Sequence, residues 1–257
     1  MVEDKRETVG RVKHYIITRI NTHNTNGTNT DPAWASDRTR LLAEHTVKSL
    51  SRQRFEWVTV FDIDTPDGVF DDALKICENF GARIVWLRGK FDSTVLSDTL
   101  SAWDDGEEGS PDWIITTRLD SDDILCDNFV ELVRAEFDLG HHGRNRLDIE
   151  LPNGVVYWEG NGVACSDERL SSQFITCAEK TEKNKTIETC YGQGQGFKRV
   201  LRTRAAWCKI IHSSNGIYKQ APDRMAVRVS ADMLKDRFKI GETDGRNIYG
   251  IEEHSAS

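Results

Sequence analysis

One stretch limits what this chain can become. Trp113-Ile114-Ile115-Thr116-Thr117-Arg118-Leu119 is an apolar, β-branched run of strand length, and it stops in Asp120-Ser121-Asp122-Asp123. Such a run reads as a buried strand, and its carboxyl-terminal end delivers the acids into the crevice where open α/β sheets bind ligands. Three carboxylates within four residues repel one another unless water or a cation compensates. Oxygen-rich clusters of this kind suit Mg2+ or Mn2+, which bridge protein carboxylates to phosphate oxygens. The expectation is that the acids of residues 120–123 converge on a shared ion beside a phosphate-bearing ligand.

The remainder of the chain sets bounds on that site. Its 257 residues suit one large α/β domain or two small ones, and 38% hydrophobic content is enough for a core. A net charge of -8 argues against a general nucleic-acid binder, because phosphate backbones need clustered Lys and Arg. A nucleotide ligand stays open, since a local basic lining can sit in an acidic protein. No apolar run reaches the ~20 residues of a transmembrane helix. Met1 to Lys13 is charged and lacks the apolar core of a secretory signal. The expectation is a cytoplasmic protein with no integral membrane segment. The cysteines at 77, 126, 165, 177, 190 and 208 form no Cys-x-x-Cys pair, which points to reduced thiols rather than disulfides or a zinc site.

Along the chain, His14 to Asn21 reads as the first strand, followed by a polar loop from Asn21 to Pro32. Arg19 stands at the end of that buried strand, where a guanidinium calls for an anionic partner. Asp37 to Leu50 has helical periodicity, with Leu41, Leu42, His45, Val47 and Leu50 available to an inner face. Arg38 and Arg40 fall in its first turn, where cations are disfavoured; one of them has a partner such as a phosphate, or both are solvated. Phe55 to Asp62 is a second strand, Asp71 to Phe80 a helix stopped by Gly81, Ala82 to Leu87 a third strand and Thr94 to Trp103 a helix. The acidic stretch supplies the fourth strand, and Asp127 to Leu139 an amphipathic helix.

Strands alternating with helices to residue 139 predict a Rossmann-type, mostly parallel sheet with helices on both faces. Beyond it the rhythm changes to a mixed or antiparallel part. Leu147 to Trp158, with Asn153-Gly154 between apolar flanks, is a hairpin candidate. Gln173 to Ala178 and Thr186 to Tyr191 look like short strands, Ala205 to His212 a strand or short helix, and Met225 to Phe238 the last helix. Gly192-Gln193-Gly194-Gln195-Gly196 matches neither a phosphate loop nor Gly-x-Gly-x-x-Gly and reads as a tight loop. The chain is thus expected to form a single domain, with a nucleotide-binding half at about 14–139 and an acceptor half at about 140–257.

Four readings of Asp120-Ser121-Asp122-Asp123 compete. An EF-hand loop fails, because Ile124 and Leu125 stand where a ligand and an obligatory Gly are needed. An aspartyl-phosphate hydrolase would use a different pair, Asp62 and Asp64, after the second strand; Pro66 departs from that pattern. Helix capping or a solvated turn explains one Asp but not three. The fourth reading is the Asp-x-Asp motif of glycosyltransferases, in which the acids hold a divalent cation on the diphosphate of a nucleotide-sugar.

The resemblance extends past the motif. His14-Tyr15-Ile16-Ile17-Thr18-Arg19, Trp34 and Arg38, Ser49-Leu50 and Gln53, Phe55-Glu56-Trp57, Phe61-Asp62 with Thr65-Pro66, and the acidic stretch follow in an order that resembles the rhamnosyltransferase family, of the glycosyltransferase A fold. That resemblance implies transfer of a sugar, rhamnose among the candidates, from a nucleoside diphosphate sugar to a glycan or small-molecule acceptor, with Mn2+ or Mg2+ as cofactor. By position, Asp120, Asp122 and Asp123 would serve metal and donor, and Arg19, Arg38, Asp62 and Arg118 would line the nucleotide pocket. The family's His near the last helix is replaced by Ser230-Ala231-Asp232, which leaves His212 as the substitute metal ligand. An inverting transfer needs a carboxylate to deprotonate the acceptor; Asp232 is the first candidate and Glu159, beside Trp158, its rival. A nucleotide-sugar-binding domain without catalysis is the non-enzymatic alternative.

Overall fold

The computed structural model describes residues 10–22, 30–51, 53–89, 91–105, 110–160, 162–168, 174–181, 189–191, 197–212 and 228–240. Its centre is a strand ladder built from the most apolar segments. β1 (Val12–Asn21) lies between β2 (Glu56–Asp62) and β4 (Trp113–Asp120), and β3 (Arg83–Leu87) extends the parallel array beyond β2. In β4 Ile114, Ile115 and Leu119 are nearly sealed from solvent. Each such side chain contributes roughly 1.5–3 kcal/mol over its exposed state. Buried on both faces, the central strands show continuous apolar runs instead of strict alternation.

The helices fall on the two faces as expected. α3 (Asp71–Asn79) and α5 (Phe129–Gly140) share one core with Ile16, Trp57 and Phe61, while α4 (Ser93–Asp105) packs Leu96 and Leu100 against Tyr15, Ile17 and Val60 on the other. α1 (Pro32–Leu41) passes into a π-helical stretch (Leu42–Val47) and ends in a short turn, α2 (Lys48–Leu50). This helix starts before the expected Asp37. Asp31 caps it by accepting a hydrogen bond from the Ala33 amide at 3.0 Å, with Pro32 in the first turn. Arg38 and Arg40 therefore lie past its first turn, ahead of the π-helical stretch and away from the amino-terminal end where cations are disfavoured. No helix among the described residues is long and apolar enough to cross a membrane.

Past residue 140 two more groups of strands appear. β9 (Thr176–Lys180) inserts antiparallel between β4 and β6 (Arg146–Glu150), and β10 (Phe197–Val200) joins the far edge, completing a seven-stranded sheet. A second sheet has the order β5 (Ile124–Leu125), β11 (Trp207–Ile211), β7 (Asn153–Trp158), β8 (Val163–Glu168). The hairpin expected at Asn153-Gly154 does not form: β6 and β7 belong to different sheets. Gly154 serves closeness instead, since a Cβ there would sit 2.1 Å from the Trp207 ring. The Trp207 indole, fully buried, donates to the Leu151 carbonyl at 2.8 Å. Residues 189–191 form a turn rather than the expected strand; the rest of that strand, residues 192–196 and residues 213–227 lie outside the described residues. α6 (Ala231–Phe238) closes the described chain, capped by the Ser230 hydroxyl. All six cysteines are free and buried.

Candidate functional site

The strand order creates the crevice. β2 and β3 lie to one side of β1 and β4 to the other, and a parallel sheet opens a cleft at the carboxyl ends of the strands where its order reverses. Register sets Arg19 of β1 beside Asp120 of β4. Asp120 accepts from Arg118 through both oxygens, at 3.1 and 3.2 Å, and faces Arg19 at 3.6 Å. The Arg19 guanidinium also lies 5.5 Å from the ring centres of Phe91 and of Tyr191. Two cations on one carboxylate leave positive charge in excess. Arg19 Nε is moreover buried without a hydrogen-bond partner, an expensive arrangement unless a ligand accepts from it. Asp62, which ends β2, is buried and accepts from the Asp64 amide at 3.0 Å. Arg19, Asp62, Arg118 and Asp120 thus occupy neighbouring strand ends, with aromatic rings on one flank.

Asp122 faces elsewhere. Its Oδ2 accepts from Arg38 Nη1 at 2.5 Å and lies 2.9 Å from His212 Nε2. Burial pushes this carboxyl up, but the His212 hydrogen bond and the Arg38 charge outweigh it and hold the group well below the usual carboxylate range. Arg38 lies 3.2 Å from His212 and 5.3 Å from the Trp34 ring centre, with its Nε buried and unpartnered.

Asp123 turns into the interior. Its Oδ1 accepts from the Ile210 amide at 2.9 Å, and its carbonyl takes the Thr46 hydroxyl at 2.9 Å, so it ties the turn to β11 and to the π-helical stretch. Burial, reinforced by the charges of Asp122 and Asp120, pushes its carboxyl well up. The expected convergence of all three acids is therefore not what the structure shows. They separate because each finds its own donors: two arginines, an arginine with a histidine, and a backbone amide. Among the described residues no metal-sized group of three ligands includes them.

His212 and Glu159 reach this region through the second sheet. Ile211 and Trp158 are paired in the parallel β11–β7 ladder, so the residues that follow them emerge side by side. The Glu159 amide donates to the Ile211 carbonyl at 3.0 Å. Arg40 holds both Glu159 oxygens, at 2.8 and 3.1 Å, and also reaches Glu44 at 2.5 Å and Asp37 at 3.1 Å. Asp37 continues the network to His212 Nδ1 at 3.8 Å. The Arg40 hydrogen bond holds the Glu159 carboxyl below its usual range, against the opposing effect of burial. Asp232 does not join this set. It is exposed on the first turn of α6, where a negative charge suits the helix dipole, and among the described residues no hydrogen bond or ion pair links it to the strand-end acids.

Asp37, Glu44, His45, Phe91 and Tyr191 are site neighbours that sequence pattern does not single out. His45 lies on the inner face that its spacing predicts, 11% exposed, within the π-helical stretch, and such turns concentrate at functional sites. Phe91 and Tyr191 carry no local signal, since they are a hundred residues apart in the chain and meet, with ring centres 4.6 Å apart, only once the sheet is packed.

A divalent ion can be weighed against these donors. Carboxylate and imidazole are suitable donors for Mn2+, and Asp122 and His212 supply one of each. They stand at hydrogen-bond distance from each other, 2.9 Å, with Arg38 Nη1 2.5 Å from the same Asp122 oxygen, so an ion would have to displace both contacts.

Residues 21–191 match the family described as "Putative rhamnosyl transferase". The chain belongs to that family. No curated protein matches it in sequence. Among solved structures, S. aureus TarS 1-349 is similar over 77% of this chain and 60% of its own, with 14% identity and a TM-score of 0.37. The chain therefore spans 60% of the length of that structure. HddC from Yersinia pseudotuberculosis is similar over 76% of this chain and 92% of its own, with 9% identity and a TM-score of 0.37. In this family member the matched region runs from the end of β1 to Tyr191, and so includes Arg38, Asp62, Arg118, the acidic turn and Glu159 but not His212.

Proposed function

We propose that this family member transfers a sugar, rhamnose by the family's description, from a nucleoside diphosphate sugar to an acceptor hydroxyl in glycan synthesis. The observation that carries the reading is the division of labour in the acidic turn. Asp120 gathers Arg19 and Arg118 at the sheet crevice, while Asp122 stands 2.9 Å from His212. On this reading residues 14–139 supply most of the donor site, with Tyr191 and His212 reaching it from the half at 140–257 that otherwise binds the acceptor, within one domain.

Arg19 and Arg118 hold the diphosphate, since a guanidinium offers paired donors to phosphate oxygens. Asp120 keeps both forks oriented, and Asp62 and the Phe91–Tyr191 rings flank the nucleoside. Asp122 and His212 would hold Mn2+ or Mg2+, which when bound offsets the charge building on the departing diphosphate. Asp123 positions the turn through Ile210 and is not assigned to the ion. On the acceptor side Glu159 replaces Asp232 as the base for an inverting transfer. It is ionised, held by Arg40, and 28% exposed at the end of β7.

A second reading rests on the Arg38–Asp122 contact of 2.5 Å: the Arg38 guanidinium itself supplies the positive charge and no ion is needed. Chelation separates the two. Transfer that survives EDTA and falls with Arg38→Gln supports the arginine; transfer lost to EDTA supports the ion. The primary test is a thermal-shift panel of nucleoside diphosphate sugars with and without Mn2+, followed by transfer and donor-hydrolysis assays. A matched donor raises the unfolding midpoint, because ligand binding to the native state stabilises it. If no nucleotide-sugar shifts the midpoint, the proposal fails. If donors bind but no acceptor is glycosylated, the chain is a binding domain instead. Release of phosphate from an aryl phosphate, dependent on Asp62, would identify a hydrolase.

A further inference from the structure

Glu44 and His45 surround Glu159, the proposed base, in a cluster whose other two members sugar transfer as proposed does not use. Each offers one ligand atom, and the three atoms lie within 4.8 Å of one another. Two are carboxylates and the third is an imidazole nitrogen, a donor set that first-row divalent ions accept. Among the described residues His45 Nε2 is buried with no partner inside hydrogen-bond distance, and the nearest acceptor, Glu159 Oε1, stands just beyond it at 3.6 Å. A buried ring nitrogen left short of a full hydrogen bond favours a ligand that can reach it. The local charge points the same way. The guanidinium of Arg40 is shared between Glu44 and Glu159, and with Asp37 beside them, so neither cluster carboxylate has it to itself. The cluster is also accessible from one side: His45 forms its floor at 11% exposure, while Glu44 and Arg40, each at 38%, form its rim.

We infer that Glu44, His45 and Glu159 form a binding site for a divalent transition ion of the Zn2+ or Mn2+ class, separate from the Asp122–His212 pair. Arg40 occupies the carboxylates in the absence of the ion and moves toward Asp37, its neighbour at 3.1 Å, when the ion enters. Three protein ligands leave coordination positions open for water or an acceptor oxygen. Burial lowers the imidazole's proton affinity, which keeps its nitrogen available as a ligand at neutral pH. The site does not depend on the chain being a transferase.

The test is direct titration of the purified chain with ZnCl2 and, separately, MnCl2 by calorimetry, with no nucleotide present. The Asp122→Ala variant removes the strand-end ligand and serves as the background. There one ion still binds. Adding His45→Ala weakens it at least about tenfold; adding Glu44→Gln, at a partly exposed position, does the same without disturbing the core. Arg40→Gln strengthens it by removing the competing cation. If Asp122→Ala abolishes all binding, or if neither added substitution changes the affinity, the inference is overturned. Failure of the donor panel with retained ion binding would overturn the transferase reading alone.

Discussion

Two arginine-bearing clusters around the acidic turn are assembled in different ways. Arg19, Arg118 and Asp120 come from β1 and β4, adjacent strands whose register sets Arg19 beside Asp120. Arg38, Asp122 and His212 come from a helix, a turn and the end of a strand in the second sheet, brought together by tertiary packing. The first cluster is maintained by a parallel ladder in the middle of the core. The second depends on docking, which rests on the Asp123–Ile210 bond, the Thr46–Asp123 bond and the Gly154–Trp207 contact. The Arg19–Arg118–Asp120 cluster is thus built into the sheet, whereas the Arg38–Asp122–His212 cluster can be uncoupled from it.

The strongest way to break that difference is Gly154→Ala. A Cβ 2.1 Å from the fully buried indole of Trp207 has no room, so β7 and β11 must separate. The expected cost is about 3 kcal/mol by chemical denaturation, with β1–β4 amide protection retained and protection in β7 and β11 lost. Uniform loss of protection would show that the two regions unfold as one.

Asp123→Ala comes next, at roughly 2 kcal/mol, because it strands the Ile210 amide in the interior. Asp123→Asn keeps the acceptor oxygen and costs much less. It also changes the pH dependence in a defined direction. With the folded carboxyl pushed up, the native state binds more protons than the unfolded state, so this group's contribution falls as pH rises above the ordinary carboxylate range. The Asn variant should lack that decline; unfolding midpoints that fall equally in both proteins from pH 4 to pH 7 would contradict it.

Within the site, Asp120→Asn and Asp122→Ala should have different effects on donor binding. The first loosens Arg19 and Arg118 and weakens nucleotide binding about tenfold with or without Mn2+. The second removes only the gain produced by Mn2+. Identical effects of the two substitutions would remove the distinction between the clusters. The smallest effect is assigned to Asp232→Ala: stability within about 0.5 kcal/mol of the parent and unchanged transfer, as for an exposed helix residue. A large loss of transfer would restore Asp232 as the base in place of Glu159.

How much of this could be read from the chain differs between the same two regions. The alternation of β-branched runs with amphipathic helices is visible because each element must bury one face, and the burial period is written locally. Arg19, Asp62, Arg118 and Asp120 could be placed at strand ends for that reason. The Asn153-Gly154 pair was misleading: its hairpin signal is local, but Trp207, more than fifty residues away, decides what that glycine is for. His45 lies on an inner face, as its spacing predicts, but the carboxylates it meets there, Glu159 above all, come from distant elements that helical period does not reveal.

The chain alone determined a mostly parallel sheet and acids delivered to its carboxyl edge, because strand propensity and apolar period act over a few residues. Tertiary structure alone decided the partners beyond the strand. Asp120 is met by Arg118 two residues before it and by Arg19 of the neighbouring strand, but Asp122 meets Arg38 and His212 and Asp123 the Ile210 amide, all distant in sequence. Charge pairing depends on distances of a few ångströms, and only the packed elements set those.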